Sequence, residues 1–275
     1  MTRVKLLALD LDGTLYNTEK IVSDENKKAL AAAKEKGVKV VITTGRPLKA
    51  IGNLLEELDL LGEENYSITF NGGLVQRNTG HILDKSALSL AEVYDIHQQL
   101  AAVGLPTDII SDGTVYSLSG NDGRRSQYHL ASPLLNFVSL QSFAELPKDI
   151  TYNKIVTVTD PKVLDRQLAR LPKAIFEDFE AFKSRDIIFE IMPKGIHKAF
   201  GLDLLCQHLG LEAKHVMAMG DEANDFSMLK WAGLGVAMAN AVDQAKEVAD
   251  AVTTLTNDQS GVAEAIWKYI LNEEG

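Results

Sequence analysis

Asp10-Leu11-Asp12-Gly13-Thr14 closes a short apolar run, Leu6 to Leu9, in this 275-residue chain. Two carboxylates at positions i and i+2 can hold a hard cation through carboxylate and backbone oxygens, and Gly13 lets the chain turn sharply after them. If one is ionised and nucleophilic while the other carries a proton, the pair covers covalent and general-acid roles as well. The plain structural alternative is an Asx turn that ends a strand, since Asp-Gly is common in turns. A second segment, Thr43-Thr44-Gly45-Arg46, offers a hydroxyl and a backbone N–H suited to an anion such as phosphate. By itself it reads equally as a helix cap. In Gly220-Asp221-Glu222-Ala223-Asn224-Asp225, Asp221 could complete a cation site with Asp10, while Asn224 and Asp225 could orient metal waters or substrate. The helix dipole alone also favours acidic residues there. Lys198 opens a helix after Pro193-Lys194-Gly195-Ile196-His197. An ammonium is unusual at that end of a helix and would fit beside an anionic nucleophile or phosphate; Lys194 competes for the role, and a solvated surface lysine is the plain alternative.

These segments need strands and helices to bring them together. Val4 to Leu9, Val38 to Thr43 and Tyr66 to Phe70 read as buried parallel strands. Between them lie a helix capped by Ser23 and stopped at Gly37, and a second that starts at Pro47 and carries Ile51, Leu54, Leu55 and Leu58. After Asn71-Gly72-Gly73 the pattern changes to hairpins, Leu74 to Arg77 with His81 to Asp84 and Thr107 to Ser111 with Thr114 to Ser119, the second turning on Asp112-Gly113. Ser89-Leu90-Ala91-Glu92 is a capping box that opens a helix, and further strands are predicted at Lys154 to Thr159 and Asp186 to Met192. From about residue 197 strand and helix alternate again to the end of the chain. The simplest parse is an α/β core with a doubly wound parallel sheet, 1–83 plus 191–275, interrupted by an α+β insert, 84–190. Trp231 and Trp267 fall on helical patterns and read as core. Arg124, Arg125, Tyr128 and His129 form a polar aromatic cluster that reads as an exposed loop or helix face, with contact to a substrate as the alternative.

A formal net charge of −10, from 28 Lys+Arg against 38 Asp+Glu, repels nucleic-acid phosphate and anionic lipid, so neither is an expected partner. Hydrophobic residues at 45% and charged residues at 24% fit a globular chain rather than a disordered or fibrous one. The single Cys206 sits in an apolar helical pattern and reads as packing in a reducing compartment. The N-terminal apolar run is broken by Asp10, too short and too acidic for a signal peptide or membrane span, so a cytoplasmic location is expected. The six histidines show no zinc-ligand spacing.

In order and spacing the four segments resemble the motifs of the haloacid dehalogenase superfamily, and the chain is similar to its Cof-type branch of YidA-like sugar phosphatases over nearly its full length. The resemblance implies Asp10 as a nucleophile that becomes aspartyl-phosphate and Asp12 as general acid/base. It implies that Thr44 with Gly45 holds the phosphoryl group and that Lys198 neutralises Asp10 and phosphate. Mg²⁺ would be held by Asp10, Asp12 through its carbonyl, and Asp221, with Asp225 and Asn224 supporting the metal and substrate shell. Leu11, Thr44, Gly45, Lys198 and Asn224 would line the substrate, and the insert would be the branch's large cap. The expected activity is hydrolysis of a small phosphorylated metabolite, with a sugar phosphate as the expected class, by a monomer or homodimer. The alternatives are a phosphomutase of the same superfamily and an aspartyl-phosphate signalling module without turnover. An oxygen leaving group needs a proton donor whereas a halide does not, so Asp12 argues against dehalogenation.

Overall fold

The computed structural model describes residues 4–271. In chain order the first strands are β1 (Leu6–Leu9), β2 (Lys39–Thr43), β3 (Tyr66–Thr69), β4 (Leu74–Arg77) and β5 (Ile82–Lys85). A middle group follows: β6 (Thr107–Ser111), β7 (Thr114–Leu118), β8 (Asn136–Ser139), β9 (Lys154–Val158), β10 (Phe179–Arg185) and β11 (Ile188–Pro193). The last are β12 (Val216–Gly220), β13 (Leu234–Ala237) and β14 (Ala251–Val252). The chain divides into two compact units, one of Met1–Gly45, Asn53–Asp84 and His197–Gly275, the other of Arg46–Gly52 and Lys85–Ile196.

The first unit is built on an eight-stranded sheet in the order β14-β13-β12-β1-β2-β3-β4-β5. The strands from β14 to β3 run parallel, and β4 turns back antiparallel to β3. All four side chains of β1 and all five residues of β12 are buried, as expected of strands covered on both faces. On one face, Leu202, Leu205 and Cys206 of the helix Lys198–Leu209 join Leu6, Ala8, Val41 and Ile68 in a single cluster. Cys206 is therefore a packing residue, and burial pushes its thiol up to about 11, away from nucleophilic duty.

The second unit has a six-stranded mixed sheet, β10-β11-β9-β6-β7-β8. Its core lies on one face, where Ile109, Ile155, Phe189 and Ile191 meet Val93, Ile96 and Leu100 of the helix Leu90–Ala102. The Ser89 capping box forms as the sequence predicts, with the Ser89 hydroxyl accepting from Glu92 N–H and the Glu92 carboxylate accepting from Ser89 N–H.

Several local expectations change. The helix predicted from Pro47 is a single 3₁₀ turn, Leu48–Ile51, followed by a four-residue helix, Leu54–Glu57, with Gly52 between them. Strands β8 and β10 and the short helix Ala174–Asp178 lie where the sequence reading places no element, and Tyr128–Ala131 forms a short helix. Tyr128 is buried against the Phe137 ring rather than exposed. Trp267 is 48% exposed and not core, and the final helix changes at that residue from α to the wider π geometry.

Candidate active site

Parallel pairing delivers the chemistry to one edge of the first unit's sheet. Leu9 is in register with Met219 on one side and Ile42 on the other. The next residues along β1 and β12 are therefore neighbours, and Asp10 N–H donates to Met219 O at 3.1 Å. One strand further, Thr44 N–H donates to Ile68 O at 2.9 Å, and Asn71 N–H donates to Thr44 O at 3.0 Å. Asp221, Asp10, Thr44 and Asn71 thus stand at the carboxyl ends of β12, β1, β2 and β3, where open α/β sheets bind their ligands.

Lys198 is fully buried, with Nζ 2.5 Å from Asp10 Oδ1 and 2.6 Å from Asp225 Oδ1. Lys194, the competing choice, lies at the surface 3.8 Å from Glu180. His197 caps the Lys198 helix by accepting from Phe200 N–H, which fixes the first turn on which the lysine sits. The other Asp225 oxygen accepts from the backbone N–H of Asp221 and Glu222 at 2.9 and 3.0 Å. Asp225 therefore ties the lysine to the loop that carries Asp221. Asp221 Oδ1 accepts from the Thr14 hydroxyl at 2.7 Å. Gly13, at φ 82°, packs so closely that a Cβ there would sit 2.2 Å from Asp221 Oδ2. A residue with a side chain is excluded at that position by space and by backbone conformation together.

Asp10, Asp221 and Asp225 each offer an oxygen, all within 4.8 Å of one another, and all three residues are buried. Three carboxylates against the Lys198 ammonium leave an excess of negative charge among buried groups. Burial, offset by Lys198 and reinforced by Asp225, pushes Asp10 up to about 7. Burial, Asp10 and Asp225 push Asp221 up to about 8. Lys198 loses from burial but gains more from Asp10 and Asp225, so its ammonium is held above the ordinary range. A small divalent cation answers this excess, and an all-oxygen donor set is the kind that Mg²⁺ takes.

The Asp12 carboxylate pairs with Lys20, its Oδ1 2.6 Å from Nζ, and its charge also bears on Asp10. What it could give a metal beside Asp10 is its carbonyl. Thr44 is buried, and Gly45 lies against the Asn71 side chain. Leu11 is wholly buried, and its carbonyl accepts from Thr14 and Tyr16 N–H. Any contact it makes with a substrate would come from its backbone. Asn224 Nδ2 donates to Asn71 Oδ1 at 3.2 Å. In the sequence Asn71 reads only as part of a turn, yet it is buried with φ 52° and touches Thr44, Gly45 and Asn224. Its position directly after the apolar run Tyr66 to Phe70, matching Asp10 after Leu6 to Leu9, is the signal that could have found it.

Residues 7–266 match the model of the haloacid dehalogenase-like hydrolases. The chain is 35% identical over 273 residues to YxeH of Bacillus subtilis, covering 97% of this chain and 98% of that protein. It is 34% identical to the 5-amino-6-(5-phospho-D-ribitylamino)uracil phosphatase YcsE of Bacillus subtilis, covering 98% and 96%. Among solved structures it is similar to the HAD subclass IIB sugar phosphatase BT4131, with a TM-score of 0.79, 27% identity and coverage of 97% and 99%. The chain belongs to the haloacid dehalogenase-like hydrolase family. Within that family it is a phosphatase, a hydrolase of phosphoric monoesters. Among the described residues no helix is long and apolar enough to cross a membrane.

Proposed function

We propose that the protein is a Mg²⁺-dependent sugar phosphatase working through an aspartyl-phosphate on Asp10. The observation that carries this reading is the buried Asp10–Lys198–Asp225 triad beside Asp221. Lys198 holds one Asp10 oxygen and so fixes the carboxylate as a nucleophile aimed by its other oxygen. Asp10 attacks phosphorus, the P–O ester bond breaks, and the leaving oxygen takes the proton carried by Asp12. Water then attacks the acyl phosphate, Asp12 takes its proton, and phosphate departs with Asp10 restored. The Thr44 hydroxyl and Gly45 N–H would bind the phosphoryl oxygens, with Asn71 and Asn224 bracing that strand end. Asp10, Asp221 and the Asp12 carbonyl, with Asp225 behind them, would hold Mg²⁺, which when bound would supply charge neutralisation at the phosphoryl group.

Phosphate-monoester hydrolysis is among the slowest uncatalysed reactions, with accelerations reaching about 10²¹-fold. Proton transfer accounts for around 10² to 10⁴ of that, so positioning and charge stabilisation must supply most of the rest. A site with three carboxylates, a buried lysine and a divalent cation matches that demand. The sugar-phosphate class is supported by BT4131, named a sugar phosphatase, and YcsE, whose named substrate carries a phosphorylated ribityl chain.

The test is phosphate release from a panel of sugar phosphates with Mg²⁺, repeated with EDTA and with Asp10→Asn. The expected outcome is turnover of at least one sugar phosphate, lost under both changes. Full activity in Asp10→Asn, or a panel wholly without turnover, would overturn the reading.

A further inference from the structure

Lys20 follows Asp12 by eight residues and returns to it, its ammonium 2.6 Å from Asp12 Oδ1. The backbone at Lys20 is left-handed, with φ 63°. That conformation is disfavoured for a residue with a long side chain, and glycine or asparagine would take it more easily. The lysine is 51% exposed, and an ion pair so open to water adds little to folding stability. A strained backbone that carries a contact of little value to the fold points to a constraint from function.

The segment that bends back is pinned along its length. Asn17 N–H donates to Ile21 O, Lys20 N–H to Asn17 O and Ile21 N–H to the Asn17 side chain, at 2.9 to 3.0 Å. Asp258 accepts from the Thr18 N–H and hydroxyl at 2.7 and 2.8 Å. Asn257 Nδ2 donates to Tyr16 O at 3.0 Å and Asn240 Nδ2 to Gly13 O at 2.8 Å. Two loops from the other end of the chain thus hold the turn from Gly13 to Thr18. The turn in turn delivers one ammonium to one carboxylate.

We propose that Lys20 is a positioning residue for Asp12. Its ammonium sets the rotation of the Asp12 carboxyl, and with it the direction in which that group passes a proton to the leaving oxygen and takes one from water. The inference rests on the reading of Asp12 as acid/base given above. Two lysines then divide the work, Lys198 on the nucleophile and Lys20 on the proton carrier.

Lys20→Gly separates this role from a structural one, because glycine suits the left-handed backbone while removing the ammonium. We expect a melting temperature no lower than wild type, kcat reduced about tenfold and KM for the sugar phosphate little changed. Lys20→Arg, which keeps the charge, should recover most of the loss. The proposal is overturned if kcat of Lys20→Gly stays within about twofold of wild type, or if its loss follows a loss of stability. It is equally overturned if Lys20→Arg is as slow as Lys20→Gly. Wild-type protein that releases no phosphate from any substrate defeats the reading of Asp12 itself, an outcome distinct from an active enzyme indifferent to Lys20.

Discussion

A carboxylate taken out of water either finds compensating charge or keeps its proton. Asp10 and Asp225 take the first course, and Asp108 takes the second only below about pH 6. Asp225 and Asp10 share the Lys198 ammonium, and breaking that buried cluster on one side would leave an uncompensated charge. Asp108, fully buried in β6, instead has a hydroxyl, the Ser117 Oγ, donating to its Oδ1. Burial pushes it up from 3.8 to about 6, and the neighbouring hydroxyls and His129 offset this only in part. Below about pH 4 the folded and unfolded chains both hold the proton, so nothing is lost. Between about pH 4 and 6 the unfolded chain releases it while the folded chain keeps it, so stability falls as pH rises; above that window the loss is complete. A shift of this size, with the hydroxyls already included, corresponds to about 3 kcal/mol. Asp108→Asn should therefore be about 2 kcal/mol more stable than wild type at pH 7.5 and no more stable at pH 4, measured by urea unfolding. An advantage independent of pH would contradict the assignment.

Strand ends and one helix start do the positioning. The helix Lys198–Leu209 must lie close to the β3–β4 connection for Lys198 to reach Asp10, and Gly201 is what allows it. A Cβ at Gly201 would sit 2.7 Å from Ile68 Cγ2 and 2.9 Å from Gly72 Cα. Gly201→Leu would push the helix off the sheet at a cost of about 1–3 kcal/mol and carry Lys198 with it. Thermal unfolding and kcat should fall together in that variant, whereas an unchanged kcat would show that the lysine does not depend on the helix's seat.

The same elements show what a sequence discloses. The βα alternation, Ser23 and Ser89 as caps, and the Asp112-Gly113 hairpin all appear where local pattern places them, because burial on two faces and capping are written in adjacent residues. The residues of motif-like spacing, Asp10, Lys198, Asp221 and Asp225, come together in the fold. Strand β8 escapes because Asn136–Ser139 is short and largely exposed, and β10 because its half-buried Phe179–Arg185 mixes charge with aromatics. Asn71 and Lys20 escape for another reason: each gains its meaning from tertiary contacts and left-handed backbone, which no local periodicity encodes.

At the scale of the molecule, a net charge of −10 meets a phosphorylated substrate of the same sign. Long-range steering is then weak or adverse, and on the proposed mechanism binding would rest on short-range inversion of the field by Lys198 and a divalent cation. On the proposed mechanism the acidic cluster would be a cation site first and a phosphate site second. On this account the chain's chemistry runs through a covalent bond to Asp10, and that bond can be caught. Wild-type protein turning over a sugar phosphate with Mg²⁺ should be quenched in acid and its peptides fragmented in a mass spectrometer. The account predicts a phosphoryl group on Asp10 during turnover, absent once substrate is spent and absent in Asp10→Asn. Steady phosphate release with no phosphoryl group on Asp10 at any quench time would contradict it.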